Sequence, residues 1–580
     1  MPSLELVHDD LVLMDRLREL KASEDYAKPY FERAKQHYKT FKMVNDDVDW
    51  PFANKVFTAD TSKYVLDAIA KIYTTLFGET PIFAWRERYG DGASKLTENL
   101  EQLTNWMIDF SGDDFTEEQY DTTFNKAVFG LGYLGVFPMY DKFKGKDVCI
   151  GGRFFAPDFW DVLPSWRAYR AKVARHMWHR EWLHIDEIAE KFESGYFTGD
   201  FDQVLGSNGQ PYDSKWHTEL LQEIGMEDWI PDEDSNMVEV WNRYANGEVE
   251  SILNRSYIGR NTAITAPGYL PFDHPWTDTR YIKLPKEWFG MGIPELLQFL
   301  QLDKNLLRSQ HRENLDMIMN AVIKARRGAG IDIDMLEWYP GAVWMLSDLD
   351  DVQVEQMQDA MSGIVLNLEA KLEMEMEDLS GQPRYSRGMT PPHGRETATT
   401  VARLQQAGLT RMDMQVRMTE MSQIRDLGWK LALLAKDKMH DDIFEKITRG
   451  KTKDQVFEQT DDFDLKYLVD AQPMGARITA VKELKADQMM QLFQMASQID
   501  PALTANDPNP YRISLRSIME VMLKAQGLHE DIIEKTLPLV QGGPGGGMVD
   551  GKAKAVPPGT LNNPQDLAMF AEALQGGGPQ

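Results

Sequence analysis

From Pro294 onward the chain runs as two long helical stretches around a short break, and this arrangement limits the possible folds more than any other feature. Pro294 suits a first helical turn, where a backbone N–H would have no intrahelical acceptor. Behind it Leu296, Leu297, Leu300, Leu307, Leu315 and Ile318 mark one broad face to about Asn320. The second stretch, Val352 to Asp378, carries Val354, Met357, Met361, Ile364, Leu368 and Leu372 at steps of 3, 4, 3, 4 and 4. That near-heptad spacing predicts packing against another long helix. Between them Ala321 to Leu346, with Gly328, Gly330, Pro340 and Gly341, reads as a short β insertion. Such a pair suits an element that projects from a body, and a segment of 27 residues spans roughly 40 Å as helix.

The first half predicts that body. Leu11 to Phe41 holds helix formers, no Gly and one Pro, before Trp50-Pro51-Phe52 breaks it. Thr61 to Phe77 is amphipathic, with Tyr64, Val65, Ile69, Ile72, Tyr73 and Leu76 at three- and four-residue steps, Gly78 as C-cap and Pro81 as stop. Two further helices are expected at about Lys95–Phe110 and Glu117–Phe129. Strand text follows at Tyr133–Tyr140, Val148–Phe155 and Val173–Trp178, with a short helix at His184–Glu193. Met237–Tyr244 and Glu248–Asn254 flank Asn246-Gly247, a dipeptide that tolerates the positive φ values of a type I′ turn and so predicts a hairpin. Gly206 to Ser235 reads as a polar surface excursion. After a loop at Gly381–Gly394, a long helix is expected from about Glu396 to Lys438, bending at Gly408 and Gly428. More helices occupy Val481–Leu537, and the glycine-rich text beyond Val540 cannot form a core, although Pro564–Leu574 has helical character. The expected class is α+β, predominantly helical, with a central antiparallel body.

Composition narrows the function classes. There are 63 Lys+Arg against 91 Asp+Glu, a formal net charge of −28, so gripping nucleic-acid phosphates by general attraction is disfavoured. A single cysteine, Cys149, excludes an internal disulfide framework and any multi-thiolate metal site. Asp9, Asp10 and Asp15 fall where a signal peptide needs an apolar run, and no stretch reaches the roughly 20 apolar residues of a membrane span. The expectation is a soluble protein made in a reducing compartment, in which the Asn254-Arg-Ser256 glycosylation match is empty.

Sequence motifs for chemistry fail on context. Gly130-Leu-Gly132-Tyr-Leu-Gly135 fits a dinucleotide fingerprint, but a helix precedes it and a strand follows, the reverse of what a pyrophosphate site needs. Gly450-Lys451-Thr452 is the tail of a phosphate loop without its glycine-rich front, which reads as a surface turn. His176 and His179 would point to opposite faces of a strand, and with His184 they read as structural rather than metal-binding. Asp332 and Asp334 alternate on a possible strand and read as solvated. Glu369, Glu373 and Glu377 form an i, i+4 ladder that is either a solvated face or a surface turned toward another polyanion. No catalytic residue, cofactor or metal is expected.

The order of these pieces resembles the portal protein of a tailed double-stranded DNA bacteriophage. Carrying the resemblance are Thr61 to Phe77 followed by Pro81; Phe129-Gly-Leu-Gly132-Tyr-Leu-Gly-Val136; Phe289-Gly290-Met-Gly292-Ile293-Pro294-Glu295-Leu296 with Gln301 and Asn305 behind it; and Glu396-Thr397-Ala398-Thr399. It covers about residues 50 to 535, and the glycine-rich tail departs from it. The resemblance implies a wing or body at 1–290, a first stem helix at 291–320, a clip at 321–347 and a second stem helix at 348–379. It further implies a channel loop at 380–395, a long wing helix and return strand at 396–480, a crown at 481–540 and a flexible tail at 541–580. A closed ring of about twelve copies at one capsid vertex of the virion is implied. Its partners would be the major capsid and scaffolding proteins, the large terminase, a neck or tail adaptor, and double-stranded DNA that passes through without sequence-specific binding. No membrane is implied.

Within that frame, the loop GQPRYSRGMTPPHG carries Arg384, Tyr385, Arg387, Met389 and His393 and is expected to approach the DNA, the alternative being a loop that packs against neighbouring subunits and never meets it. Its three glycines and three prolines stop it from continuing either helix. Glu369, Glu373 and Glu377 would form an acidic channel wall that does not hold its cargo. Arg326 and Arg327, basic exceptions in an acidic region, would make clip contacts. The alternatives are another virion scaffold or neck protein, or an acidic hydrolase, for which the repeated strand–helix units are missing from the second half.

Overall fold

A computed structural model describes residues 3–43, 55–78, 81–88, 94–198, 201, 237–255, 257–261, 270–319, 322–326, 348, 350, 352–355, 362–382, 411–457 and 468–473. The chain divides into two compact units, Met1–Val481 and Lys482–Gln580, and all described residues lie in the first. The expected channel-loop residues Arg384, Tyr385, Arg387, Met389 and His393, together with Arg327, Asp332, Asp334, the crown and the tail, lie outside the described residues.

Helix α1 (Ser3–Lys42) is followed by α2 (Asp60–Phe77), whose buried residues Tyr64, Val65, Ala68, Ile69, Ile72 and Leu76 realise most of the predicted stripe. Gly78 ends α2 in right-handed backbone (φ −68°), so it caps without using glycine's freedom at positive φ. Strand β1 (Phe83–Glu87) precedes α3 (Ser94–Phe129). The α3 text splits at Gly112 (φ 44°, ψ −108°), which produces the two helices expected on either side of residue 112.

Beyond α3, β2 (Leu131–Phe143) and β3 (Lys146–Phe155) form a hairpin, and β10 (Trp276–Arg280) adds to β2 in the order β10-β2-β3. This sheet is central to the core: Leu131, Tyr133, Leu134 and Val136 of β2 are buried, as is Trp276 of β10. A six-stranded antiparallel sheet runs β4 (Val162–Pro164), β5 (Met177–His184), β7 (Met237–Ala245), β8 (Glu248–Leu253), β9 (Tyr257–Asn261), β6 (Phe197–Thr198). β7 and β8 make the predicted hairpin, with Asn246 at φ 53° and Gly247 at φ 78°. Alternation sends Val238 and Val240 to a small satellite core with Ile188 of α4 (Ile185–Glu193), while Trp241 joins the main core.

α1 lies against this sheet through charged pairs: Arg16 with Glu250 at 2.7 Å, Glu19 with Arg243 at 3.1 Å, and Glu24 with Arg255 at 2.7 Å. Its aromatic side reaches the main core, where Tyr30 stacks on Phe289 with ring centres 4.3 Å apart.

The second half gives α5 (Ile293–Met319), β11 (Val322–Ala325), β12 (Val352–Glu355) and α6 (Ser362–Ser380), then α7 over 411–437, α8 (Asp441–Ile447), α9 (Lys453–Phe457) and β13 (Val469–Pro473). β13 pairs with β1, which ties the end of the unit back to its beginning.

Four expectations need correction. The helix read as starting at Val352 starts at Ser362, because Val352-Gln-Val-Glu alternates with period 2 and pairs with β11 in the register Val322↔Glu355. The strand read at Val173–Trp178 is a 3₁₀ turn at Ala171–Val173 and a later strand, β5. The buried side of α5 is not the leucine row alone but Leu297, Gln301, Lys304, Asn305 and Ser309, because its neighbours offer polar groups there. The expected bend at Gly428 falls within continuous helix, Arg425–Asp437. The irregularity is a π turn at Glu420–Ile424, and Gly428 gives β1 and β13 close approach, since a Cβ there would lie 3.0 Å from both Phe83 and Ala471.

Candidate functional site

The candidate site is the α5/α6 pair with the antiparallel β11–β12 strands, and two glycine runs set its origin. Gly130 follows α3 with φ 83°, and Gly290 and Gly292 precede α5. A Cβ on Gly130 would sit 2.5 Å from the Gly290 carbonyl oxygen, and one on Gly290 would sit 2.5 Å from that of Gly130. A Cβ on Gly292 would meet the Val128 carbonyl oxygen at 2.2 Å. Two motifs far apart in sequence are therefore one backbone crossing. It is completed by Tyr281 N–H donating to Gly130 O at 3.1 Å and by the reciprocal Ile282 and Met291 bonds at 3.1 and 3.0 Å. Of the dinucleotide-like motif, Gly130 serves this crossing, while Gly132 lets β2 approach α3, since a Cβ there would lie 2.1 Å from the Thr122 carbonyl oxygen. Beneath it Trp288 Nε1 donates to the Tyr133 hydroxyl at 2.6 Å, and burial pushes the Tyr133 phenol well above its ordinary range.

From this corner α5 is held by the N-terminus of α2, whose N-cap Ala59 supplies no side-chain bond. A helix start leaves N–H groups without intrahelical acceptors. α5 provides acceptors in and just before that start: Gln301 Oε1 accepts from Thr61 N–H at 3.1 Å, Asn305 Oδ1 from Thr58 N–H at 3.1 Å, and Ser309 Oγ from Val56 N–H at 3.0 Å. The spacing 301, 305, 309 is one polar row at i, i+4 on α5. The amide of Gln301 closes the network by donating to Thr58 O at 2.9 Å.

Alongside that row, buried Lys304 forms an ion pair with Asp60 at 2.8 Å and donates to Glu373 at 2.9 Å, so one ammonium ties α2, α5 and α6. Arg308 Nε donates to Glu369 at 2.8 Å. A step of four up α5 is matched by a step of four down α6, which fixes the pair as antiparallel. Burial opposes the charge on Asp60, but bonds from Lys304 and Thr58 outweigh it and hold the carboxyl below its ordinary value. In sequence the far ends of the two helices adjoin β11 and β12, which pair antiparallel.

Of the acidic ladder, Glu369 and Glu373 are thus turned onto cations of α5, while Glu377 also lies on α6 and is partly buried. Arg326 is exposed just after β11. The sequence reading singled out the carboxylates and missed Lys304 and Arg308, although their i, i+4 spacing mirrors that of Glu369 and Glu373. Several large apolar side chains of the pair are exposed among its polar ones: Phe299 is 71% exposed, Met319 75%, Leu366 62% and Met374 63%.

The histidines play structural parts. His184 Nδ1 accepts from Asp186 N–H at 3.3 Å and caps α4. His176 is buried, and burial together with nearby Arg243 lowers its pKa to about 4. Among the described residues no group of three His, Cys, Asp or Glu side chains is placed to hold a metal ion, and no helix is long and apolar enough to cross a membrane. Lys451 Nζ donates to Asn99 at 2.8 Å, and Arg449 and Gly450 turn through positive φ, as expected for a surface turn. Neither models of known protein families nor curated protein sequences match this chain.

Proposed function

We propose that the chain is the subunit of a portal, a closed ring of about twelve copies at one vertex of a virion that passes double-stranded DNA during packaging and ejection. The observation that carries this reading is the antiparallel α5/α6 pair, rooted in the body at one end and followed at the other by the antiparallel β11–β12 pair, with large apolar side chains left in water. Burying one such side chain is worth about 1.5–3 kcal/mol, and side chains of this size left in water on a helix pair are what a neighbouring copy would cover. The body contributes a rigid seat through the glycine crossing and the Gln301–Asn305–Ser309 row.

In this reading β11–β12 and Arg326 belong to the clip and meet a packaging motor, then a neck or tail adaptor. Capsid and scaffolding proteins surround the body. The ladder at Glu369 and Glu373 serves the stem as internal anchoring and lends the channel less negative charge than its sequence suggests. The loop with Arg384, Tyr385, Arg387, Met389 and His393 is assigned to the channel on the resemblance. The ring itself carries no catalytic step in this reading.

The test is negative-stain microscopy with native mass measurement of the purified full chain. Rings with a central hole and a mass of about twelve chains are expected, with Phe299→Ser and Leu366→Ser shifting material toward monomer. A wild-type chain that stays monomeric at micromolar concentration overturns the proposal.

A further inference from the structure

In a chain of net charge −28, residues 162–180 contain no Asp or Glu and carry Arg167, Arg170, Lys172, Arg175 and Arg180. The part from Ser165 to Arg175 is a loop held by hydrogen bonds at its neck and its far side. Its neck is closed by Ser165 N–H to His176 O at 3.1 Å and by Arg175 N–H to Ser165 Oγ at 3.1 Å. Its far side is pinned to β10 and the residues before it: Ala171 N–H donates to Asp278 at 2.9 Å, and His274 Nε2 meets Ala171 O at 2.8 Å. Ala168 and Ala171 point inward, which leaves Trp166, Arg167, Arg170 and Arg175 exposed.

Trp166 is 59% exposed, with the Arg167 guanidinium 4.2 Å from its ring centre and Arg167 itself at φ 66°. A non-glycine residue held in left-handed backbone costs of order 1 kcal/mol, and holding it at an exposed tip fits a contact surface better than a passive connection. Arg180 and Lys172 are paired, with Asp161 at 2.7 Å and Asp426 at 2.9 Å. Arg167, Arg170 and Arg175 have no carboxylate within ion-pair distance among the described residues. Prepositioned Trp and Arg with unspent charge are the residue types that dominate protein–protein contacts.

The same chain carries a complement. Residues 96–125 contain no Lys or Arg, and Asp109, Asp113, Asp114, Glu117, Glu118 and Asp121 cluster about the α3 kink. Phe110 and Tyr120 beside them are 49% and 43% exposed. Burial, with Asp121 and Asp114 adding to it, holds Glu118 above its ordinary value, and burial and Glu117 do the same for Asp121. The kink is fixed to β3, where Ser111 Oγ donates to Gly152 O at 3.0 Å and the Phe115 ring meets Phe154 at 4.8 Å. In the sheet order β10-β2-β3, the basic loop and the acidic kink are anchored to opposite edge strands. Among the described residues, no ion pair joins them within one copy.

We infer that the loop 165–175 of one copy docks, head to tail, on the acidic kink 109–121 of the next. Two different complementary patches per copy are what a ring-forming contact requires. This inference rests on the ring reading and adds to the stem a second contact, made through the body. The kink offers carboxylates beside exposed Phe110 and Tyr120, a match for both the arginines and the Trp166 of the loop.

The test uses the full chain in three forms: Arg167→Glu with Arg170→Glu and Arg175→Glu; Asp113→Lys with Asp114→Lys and Glu117→Lys; and both sets together. Circular dichroism establishes that each is folded. Each reversal alone is expected to raise the concentration for half-assembly about tenfold or more, and the combination to return it toward wild type. A chain carrying Arg170→Cys and Asp114→Cys, in which native Cys149 is buried, is expected to form a ladder of multimers with a short bismaleimide. Rings whose assembly ignores both reversals, or a combination no better than either alone, overturn the contact and leave the ring reading standing. A loop variant that assembles normally but loses binding to a roughly 30-base-pair duplex also overturns it, and assigns the loop to nucleic acid. A monomeric wild type overturns the ring reading itself.

Discussion

Replacing Lys304 by methionine tests how the helix pair is seated. The side chain is 1% exposed and joins Asp60, 21% exposed, to Glu373, 35% exposed. Methionine keeps the stem volume but leaves two carboxylates facing each other without their cation. Removing one partner of a buried pair costs about 3–5 kcal/mol. Both carboxylates here reach some water, so about 2–4 kcal/mol is expected, short of the fully buried figure. The assay is guanidinium unfolding followed by tryptophan fluorescence, with Asp60→Asn and the double variant completing a cycle. A coupling of about 1–3 kcal/mol is expected.

The acid limb supplies a second reading. The Asp60 pKa is lowered from its ordinary 3.8, so its contribution is fully present above that value and is lost as pH falls through the lower folded value. Lys304→Met should flatten the stability profile there. A change within about 0.5 kcal/mol of wild type with no coupling would refute the anchoring argument.

Three further outcomes follow from the structure. Gly130→Ala combines a positive φ with a Cβ 2.5 Å from the Gly290 carbonyl oxygen, so a loss of about 3 kcal/mol or of soluble protein is expected; a thermal midpoint equal to wild type would contradict the crossing. His37, His176 and His274 are each lowered to about 4 from 6.5, with burial the largest cause, so stability is fully present above about pH 6.5 and falls as pH drops toward 4. Urea midpoints across that interval check it, and Gln in place of all three should remove the slope. Burial lowers Lys126 from 10.5 to about 7, and its Nζ bonds the Thr419 hydroxyl beside the π turn. Lys126→Met should therefore raise the thermal midpoint more at pH 6, where the buried lysine must carry charge, than at pH 9; an equal change at both would count against it.

The elements were largely legible from local physics. The period of α2, the Asn246-Gly247 hairpin, the split of α3 and the long stretch behind Pro294 depend on residues close in sequence, and each formed where its pattern placed it. The candidate site was half legible. Gln301, Asn305, Gly130 and Gly290 stood out, but their roles did not, because each role needs a partner more than 100 residues away.

What the sequence determined alone was the α+β class, the acidic balance and the pair of long helices with a β break. Its period-2 text at Val352–Glu355 competed with a helical reading, and only the pairing with Val322–Ala325 decided it, since a strand needs a partner to satisfy its backbone. Likewise the Glu369–Glu373–Glu377 ladder reads as a charged surface in one dimension. Lys304 and Arg308 turn two of its rungs into internal ties, because the role of a charge depends on which opposite charge folding brings within about 3 Å of it.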